Sequence, residues 1–223
     1  MMQLTKKELA GYLETTILKP DGTRREVIEL CEQAIQYNFV LACVHPQYVS
    51  LANSILKDSP VMIMTPAGFP FGANTTASKV FEAQDAIKNG ADEIDMMIFM
   101  GAFKDRLYDV VRDDIRAVVE AAEGRTVKAI IETALLSREE RITACKIAVE
   151  AGARFVKTST GNALPGATVE DIRLMKEATA GSDCGVKASG GVNELNQVLS
   201  FIEAGATRIA SRLATQITDS LKE

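Results

Sequence analysis

Apolar and polar positions along this chain form two kinds of segment, one short and one long. The short segments are rich in valine and isoleucine and apolar at consecutive positions, which is typical of strands buried on both faces of a parallel sheet. Eight such segments predict strands near Leu13–Leu18, Phe39–Val44, Val61–Thr65, Glu93–Phe99, Val127–Glu132, Arg154–Thr158, Cys184–Ala188 and Thr207–Ala210.

The longer segments between these strands carry apolar residues at helical spacing. Ser137 precedes Glu140 by three residues, and this spacing predicts a capping box that starts a helix. Gly90, Gly152 and Gly205 each lie just before a predicted strand, where glycine commonly ends a helix. The predicted helices include Arg24–Tyr37, Ser137–Glu150, Thr168–Glu177, Asn193–Glu203 and Ser211–Leu221.

Repetition of strand, loop, helix and glycine turn eight times predicts the fold. Eight such units with right-handed crossovers give a closed (β/α)8 barrel, the TIM barrel, here preceded by a short N-terminal helix. An open doubly wound sheet is the alternative, but no G-x-G-x-x-G or G-x-x-x-x-G-K-[ST] motif follows an early strand. No linker rich in glycine, proline or serine divides the chain, so we expect one domain over residues 1–223.

Composition and charge narrow the classes of function. The net charge is −5 and basic residues are scattered, which argues against a nucleic-acid partner. No apolar run approaches the ~20 residues of a membrane span, and no apolar leader follows Met1, so we expect no membrane association and a cytoplasmic location.

The single histidine, His45, makes a metal centre hard to assemble, and we expect no metal or other cofactor. The four cysteines form no C-x-x-C pair and are typical of buried thiols in a reducing compartment.

Lys157 is the most unusual residue of the predicted strands. By period-2 alternation it shares a face with Phe155, while Val156 lies opposite, so Lys157 is expected to point into the barrel. Burial disfavours an ammonium group and yields a neutral amine, the form that attacks a carbonyl carbon. The alternative is a structural lysine paired with a carboxylate at the barrel rim.

Two further charged residues lie in other apolar strands. Lys187 ends the next strand, and a second cation near Lys157 would disfavour its protonation. Asp95 lies between Ile94 and Met96, where it could transfer protons or form an ion pair with a lysine. Glu132 is a weaker candidate of the same kind. Together these residues indicate an amine-dependent active site at the C-terminal ends of the strands.

Glycine-rich loops follow the two lysine strands. Thr158–Gly161 comes after Lys157, and Ser189–Val192 comes after Lys187. Backbone N–H groups in such loops, followed by a helix N-terminus, suit an oxyanion. Barrels commonly bind phosphate near the loops after strands 7 and 8.

Several motifs, in order from about Leu13 to Ile209, resemble the deoxyribose-phosphate aldolase family of class I aldolases. They are Gly68-Phe-Pro-Phe-Gly72, Glu93-Ile-Asp-Met96, Ile131-Glu-Thr133, Phe155-Val-Lys-Thr-Ser-Thr-Gly161 and Val186-Lys-Ala-Ser-Gly-Gly-Val192. The resemblance implies that Lys157 forms the Schiff base, that Lys187 tunes it and that Asp95 transfers protons. It also implies reversible cleavage of 2-deoxy-D-ribose 5-phosphate to D-glyceraldehyde 3-phosphate and acetaldehyde, as in deoxyribonucleotide catabolism, by a homodimer or homotetramer. Substrate contacts are expected at Cys43, Thr158, Thr160, Gly161, Gly190, Gly191, Ser211 and Arg212.

The sequence departs from the family pattern mainly where phosphate is bound. Asn193 stands where the family usually has arginine, and Asn162 where some members have lysine. After strand 8 the family reads Gly-x-Ser-Ser, and this chain reads Ala210-Ser211-Arg212-Leu213. Glu14-Thr15-Thr16 replaces the usual Asp-His-Thr, and the chain lacks the C-terminal tyrosine of some members. Arg212 either replaces the lost phosphate contacts or is a solvated residue of the last helix. The alternatives are therefore a related lysine-dependent aldolase for an unphosphorylated or different aldol, and a non-catalytic barrel that senses a sugar phosphate.

Overall fold

Eight parallel strands close into a barrel in the order in which they occur along the chain. The computed structural model describes residues 4–163 and 165–222. The strands are β1 (Leu13–Ile17), β2 (Leu41–Val44), β3 (Met62–Ala67), β4 (Glu93–Met97), β5 (Thr126–Ile130), β6 (Phe155–Lys157), β7 (Gly185–Ala188) and β8 (Arg208–Ser211). This topology confirms the predicted (β/α)8 barrel.

One helix precedes β1, and further helices lie between successive strands and after β8. The short N-terminal helix expected from the sequence is present as the first of them. Their bounds are α1 (Lys6–Ala10), α2 (Arg24–Tyr37), α3 (Val49–Leu56), α4 (Thr76–Lys88), α5 (Met100–Lys104), α6 (Tyr108–Ala121), α7 (Arg138–Glu150), α8 (Val169–Ala178), α9 (Leu195–Glu203) and α10 (Ala214–Asp219).

Local signals in the sequence account for many element boundaries. Ser137 accepts a hydrogen bond from the Glu140 N–H, and the Glu140 side chain accepts one from the Ser137 N–H, so the predicted capping box starts α7. Gly90, Gly152 and Gly205 have φ values of 108°, 90° and 108°. These left-handed conformations favour glycine and end the helices before β4, β6 and β8, as the sequence predicted.

Other predicted boundaries were wrong. The predicted strand to Glu132 ends at Ile130, because the chain turns at Glu132, which has φ 49° and starts a 3-10 turn over Thr133–Leu135. The last helix begins at Ala214 rather than Ser211, because Ser211 is still paired with β1. Likewise α9 begins at Leu195, since Asn193 and Glu194 cap it.

The barrel interior has two chemically different sides. Leu41, Cys43 and Met64, on β2 and β3, form a small buried apolar cluster separate from the main core between strands and helices. The strands from β4 round to β1 instead carry buried charged residues, and these form the candidate site.

Candidate active site

The register of the strands brings the three predicted chemical residues together. Lys157 of β6 is paired with Lys187 of β7, and Asp95 of β4 is paired with Lys128 of β5. All four side chains are buried within the barrel. Because paired residues of neighbouring parallel strands point to the same side, these four groups share one confined space.

The Asp95 carboxylate binds three ammonium groups. Its Oδ2 accepts hydrogen bonds from Lys157 Nζ at 2.7 Å and from Lys187 Nζ at 2.8 Å, while its Oδ1 accepts one from Lys128 Nζ at 3.0 Å. Lys187 Nζ also contacts the buried carboxylate of Glu14. The prediction that Lys157 and Lys187 point into the barrel and approach each other is confirmed.

These contacts drive the pKa values of the two lysines apart. Burial lowers the pKa of Lys157, the nearby cation of Lys187 lowers it further, and Asp95 opposes the shift without reversing it. Burial also acts to lower the pKa of Lys187, but the carboxylates of Asp95 and Glu14 outweigh it and raise that pKa. Lys157 is therefore the better nucleophile, and Lys187 remains a cation beside it.

Asp95 is held as an anion. Burial acts to raise the pKa of this carboxyl, but the cations of Lys128, Lys157 and Lys187 hold it well below its usual range. An ionised carboxylate next to a neutral amine can accept a proton, whereas a protonated acid could not.

Cys43 borders the lysine pair from the apolar side of the barrel. It is buried, and its pKa is raised by burial even though Lys187 and Lys157 lie close enough to oppose the shift. A neutral thiol at this position offers a small apolar wall rather than a second nucleophile.

The predicted phosphate loops lie together at the C-terminal ends of β6 and β7. Thr158 Oγ1 donates to the Ser189 carbonyl at 3.0 Å and accepts from the Ser189 N–H at 3.0 Å, so its hydroxyl ties the two loops. Gly190 and Gly191 have φ values of 88° and 70°, a left-handed pair that suits successive N–H groups directed at an anion. Gly161 has φ 88° and lies beside Gly190.

Thr160 binds Glu132 rather than standing free. Its N–H donates to Glu132 Oε2 at 3.1 Å, and its hydroxyl contacts the same oxygen. Within the described part of the chain, the buried Glu132 Oε1 and the buried Ser159 Oγ form no hydrogen bond. Sequence reasoning singled out Glu132 but not Ser159; both polar atoms are available to a ligand or water beside the loop after β6.

Ser211 and Arg212 lie at the end of β8. Ser211 Oγ donates to the Val192 carbonyl at 2.7 Å and accepts from the Leu213 N–H at 2.9 Å, so it fixes the loop after β7. Arg212 lies in the turn between β8 and α10 with an exposed side chain.

A cavity of about 230 Å³ opens at the same end of the barrel as these loops, beside three other strands. It lies at the C-terminal ends of β1, β2 and β3, next to Asn162 from the loop after β6. Its lining residues are Leu18, Pro20, His45, Pro46, Pro66, Phe69, Pro70, Glu82 and Asn162.

Comparison with known proteins identifies the family of this barrel. Residues 13–214 match the model of the DeoC/LacD family aldolases. The chain belongs to the DeoC/LacD aldolase family. The match covers the whole barrel from β1 to the start of α10, including Lys157, Lys187 and Asp95.

Individual members of the aldolase family are similar over nearly the full chain. A deoxyribose-phosphate aldolase of Staphylococcus carnosus is 53% identical over 215 residues, which cover 96% of this chain and 97% of the relative. One of Enterococcus faecalis is 53% identical over 211 residues, which cover 94% of this chain and 96% of the relative. The tetrameric deoxyribose phosphate aldolase structure from Aeropyrum pernix superposes with a TM-score of 0.91 at 27% identity, covering 97% and 92% of the two chains.

Four charged residues of this aldolase barrel were not recognised as site residues from the sequence. Lys128, Glu93, Arg208 and Glu14 all reach the ion-pair network around Asp95. Lys128 carried the same signal as Lys157, a lysine between Val127 and Ala129 in an apolar strand. Period-2 alternation could therefore have found it.

Two other properties bear on ligands and location. The described residues hold no group of three or more histidine, cysteine, aspartate or glutamate side chains arranged for a metal ion. Among residues 4–163 and 165–222, no helix combines the length and apolar character needed to cross a membrane.

Proposed function

We propose that this aldolase reversibly cleaves 2-deoxy-D-ribose 5-phosphate to D-glyceraldehyde 3-phosphate and acetaldehyde through a Schiff base on Lys157. The observation that carries the proposal is the position of Lys157 Nζ, 2.7 Å from Asp95 Oδ2 and beside Lys187 at the same oxygen. The names of the relatives at 53% identity support the choice of substrate.

The first step is attack of the neutral Lys157 amine on the C1 aldehyde of the open-chain sugar. Uptake of one proton from solvent and loss of water convert the resulting carbinolamine into a protonated imine, which can accept the electrons of the bond that breaks next. Lys187 keeps its proton because Asp95 and Glu14 bind it, so it favours the uncharged form of Lys157 before the reaction.

The second step breaks the bond between C2 and C3. A base removes the proton of the C3 hydroxyl, and the C2–C3 electrons move to the imine. Glyceraldehyde 3-phosphate is released, and an enamine remains on Lys157. Asp95 is the carboxylate nearest to this nitrogen and, through water, serves as base and then returns a proton to C2. Hydrolysis of the imine releases acetaldehyde and restores Lys157.

The 5-phosphate is assigned to the loops after β6, β7 and β8. Gly190 and Gly191 supply left-handed backbone, which suits N–H groups directed at an anion, and the exposed Arg212 follows the last strand. Arginine suits phosphate because its donors match two oxygens at once. Thr158, Thr160, Gly161 and Ser211 hold these loops in shape or line them.

A second candidate is a lysine-dependent aldolase for an unphosphorylated aldol. The observation that favours it is the commitment of the Ser211 hydroxyl to Val192 and Leu213, together with Asn162 and Asn193 in place of family cations. Measuring kcat/KM for deoxyribose with and without its 5-phosphate separates the two. We expect a strong preference for the phosphate ester, and equal values would favour the second candidate.

The Schiff base is tested by trapping it chemically. Wild-type protein is incubated with acetaldehyde and sodium borohydride, and the modified peptide is located by mass spectrometry. We expect the adduct on Lys157 and its loss in Lys157→Met. Lys79→Met is the matched control, since Lys79 is also buried and ion-paired but outside the barrel interior, and it should keep the adduct. Absence of any adduct in wild-type protein would favour the non-catalytic sensor.

We also propose an oligomeric state and a cellular compartment for this protein. The tetrameric relative supports a homodimer or homotetramer, which light scattering would measure. Four free, buried cysteines support a reducing compartment such as the cytoplasm. The proposed products place the reaction in deoxyribonucleotide catabolism.

A further inference from the structure

Five buried charged side chains and the partly exposed Arg208 form a closed ring inside the barrel. Around the ring, each carboxylate lies between two cations, so positive and negative charges alternate. The order is Asp95, Lys128, Glu93, Arg208, Glu14, Lys187 and back to Asp95.

The contacts that close the ring are short where both partners are fully buried. Lys128 Nζ contacts Glu93 and lies 3.0 Å from Asp95 Oδ1, and Lys187 Nζ lies 2.8 Å from Asp95 Oδ2. Arg208 closes the other side, 3.5 Å from Glu93 and 3.8 Å from Glu14. Two of the cations also lie near the aromatic side chain of Phe155, whose centroid is 5.9 Å from Lys128 Nζ and 5.7 Å from Arg208 Cζ.

Three cations and three carboxylates make the ring electrically neutral. Lys157 is not part of it, and its ammonium touches the ring at Asp95. Protonated Lys157 therefore adds one uncompensated positive charge to the barrel interior. Water barely reaches this space, because every ring residue except Arg208 is at most 4% exposed. An unpaired charge in a low dielectric is costly, so the neutral amine is favoured.

We propose that Glu93, Lys128 and Arg208 are positioning residues, which close the neutral ring and thereby make the uncharged amine of Lys157 the electrically balanced state of the barrel interior. The proposal rests on the proposed Schiff-base function of Lys157. It assigns a role in the reaction to three charged residues that act on Lys157 through Asp95 and the other members of the ring.

The charge balance around Lys157 depends on the charged residues carried by the eight strands. Strand β3 carries no charged residue, and Cys43 of β2 is held neutral by its raised pKa. The charged residues on the strands, besides Lys157, are Glu14 on β1, Glu93 and Asp95 on β4, Lys128 on β5, Lys187 on β7 and Arg208 on β8. The buried carboxylate of Glu132 lies beyond the end of β5 and is bound to Thr160; it is unchanged in every variant below. Removing one charge from this set should change the protonation of Lys157 in a direction set by its sign.

The experiment measures the rate of borohydride trapping with acetaldehyde as a function of pH. The trapping rate should rise with pH as Lys157 loses its proton, and this rise is the limb that is compared between variants. Lys128→Met leaves the ring with one excess negative charge, which stabilises the Lys157 ammonium. The rising limb of its rate–pH curve should therefore move to higher pH by about one unit. Glu93→Gln leaves one excess positive charge, so the limb should move down. The double variant Lys128→Met with Glu93→Gln restores neutrality, and its limb should return toward the wild-type position.

Opposite shifts that cancel in the double variant are the signature of charge balance, since loosened packing would slow trapping without reversing the sign. Arg208→Gln, at a partly exposed ring cation, should shift the limb up like Lys128→Met and keeps the test available if a buried variant fails to fold. Lys79→Met controls for loss of a buried lysine and should leave the limb unmoved. Shifts of the same sign, or none, in folded Arg208→Gln and Glu93→Gln would overturn the proposal. A wild-type protein without a Lys157 adduct would instead refute the proposed function.

Discussion

Asp95 is the residue on which the candidate site depends. Its two carboxylate oxygens bind the ammonium groups of Lys128, Lys157 and Lys187, each within 3.0 Å. Such a carboxylate orients the lysines and also offsets their mutual repulsion. Its loss should therefore affect both turnover and folding.

Asp95→Asn is expected to be inactive and unstable. It leaves several buried ammonium groups around a neutral amide, which should lower the free energy of unfolding by about 3–5 kcal/mol. It also removes the proposed base, which should lower kcat by at least ~100-fold. Denaturant unfolding and steady-state kinetics measure the two effects.

Asp114→Asn is the matched control for this variant. Asp114 of α6 is also buried and binds Lys79 at 2.6 Å and Thr76 at 2.8 Å, both on α4, so its ion pair lies between two helices rather than inside the barrel. It should lose stability while the folded fraction keeps its turnover. If Asp95→Asn retained wild-type kcat, Asp95 would not be the proton-transfer group.

At the scale of residues, the sequence predicted the centre of the site and missed its surroundings. Lys157, Lys187 and Asp95 are charged residues in apolar strands, and that contrast is visible without a structure. Their joint contact depends on barrel closure and register, which alternation alone does not give. The roles of Glu14 and Arg208 come from strands that meet only when β1 pairs with β8.

At the scale of elements, the loops after β6 and β7 are packed backbone against backbone. A Cβ on Gly166 would lie 2.1 Å from the Gly190 carbonyl oxygen, and the Ala167 N–H donates to that oxygen at 3.1 Å. Only glycine allows this approach, so residue 166 determines where the Gly190–Gly191 backbone lies.

Gly166→Ala is expected to weaken phosphate recognition. The added methyl group must push the Gly190 loop away, which should raise KM for deoxyribose 5-phosphate by at least ~10-fold while KM for unphosphorylated deoxyribose changes little. Gly181→Ala is the control, because Gly181 has φ 82° but open space around it, away from the site. Equal effects of both variants on KM would count against a phosphate site in these loops.

The elements themselves were largely predictable, because each strand lies in an apolar run and helices begin at visible caps. Strand ends still differ from the prediction by up to two residues. Glu132 shows why: its left-handed backbone ends β5 early, and nothing in its residue type announces that conformation. The start of α10 was misplaced for a similar reason, since Ser211 belongs to β8 through tertiary pairing.

At the scale of the whole molecule, the buried charges link stability to pH. The cations of Lys128, Lys157 and Lys187 hold the pKa of Asp95 well below its ordinary 3.8. The unfolded chain therefore binds a proton at Asp95 at a higher pH than the folded chain does. The stabilisation is present above the ordinary value and is lost as the pH falls below about 4 toward the folded-state pKa.

We expect the free energy of unfolding to be nearly constant between pH 5 and 7, within roughly 1 kcal/mol, and to fall steeply below about pH 4. Guanidinium unfolding at a series of pH values measures this dependence. The slope should be shallower in Asp95→Asn, which has no carboxyl group to titrate at that position. An identical slope in the two proteins would show that other carboxylates dominate acid unfolding.

The two-sided barrel interior also has an evolutionary consequence. On the charged side, each ring residue forms ion pairs with two oppositely charged neighbours. A substitution that removes one charge there must therefore be matched by a second substitution if the ring is to stay neutral. Leu41, Cys43 and Met64 carry no such obligation, since apolar side chains of similar volume can replace one another. Adaptation to new aldehydes should therefore proceed through the β2 and β3 wall, and variants selected for altered donors should accumulate their substitutions there while the ring stays unchanged.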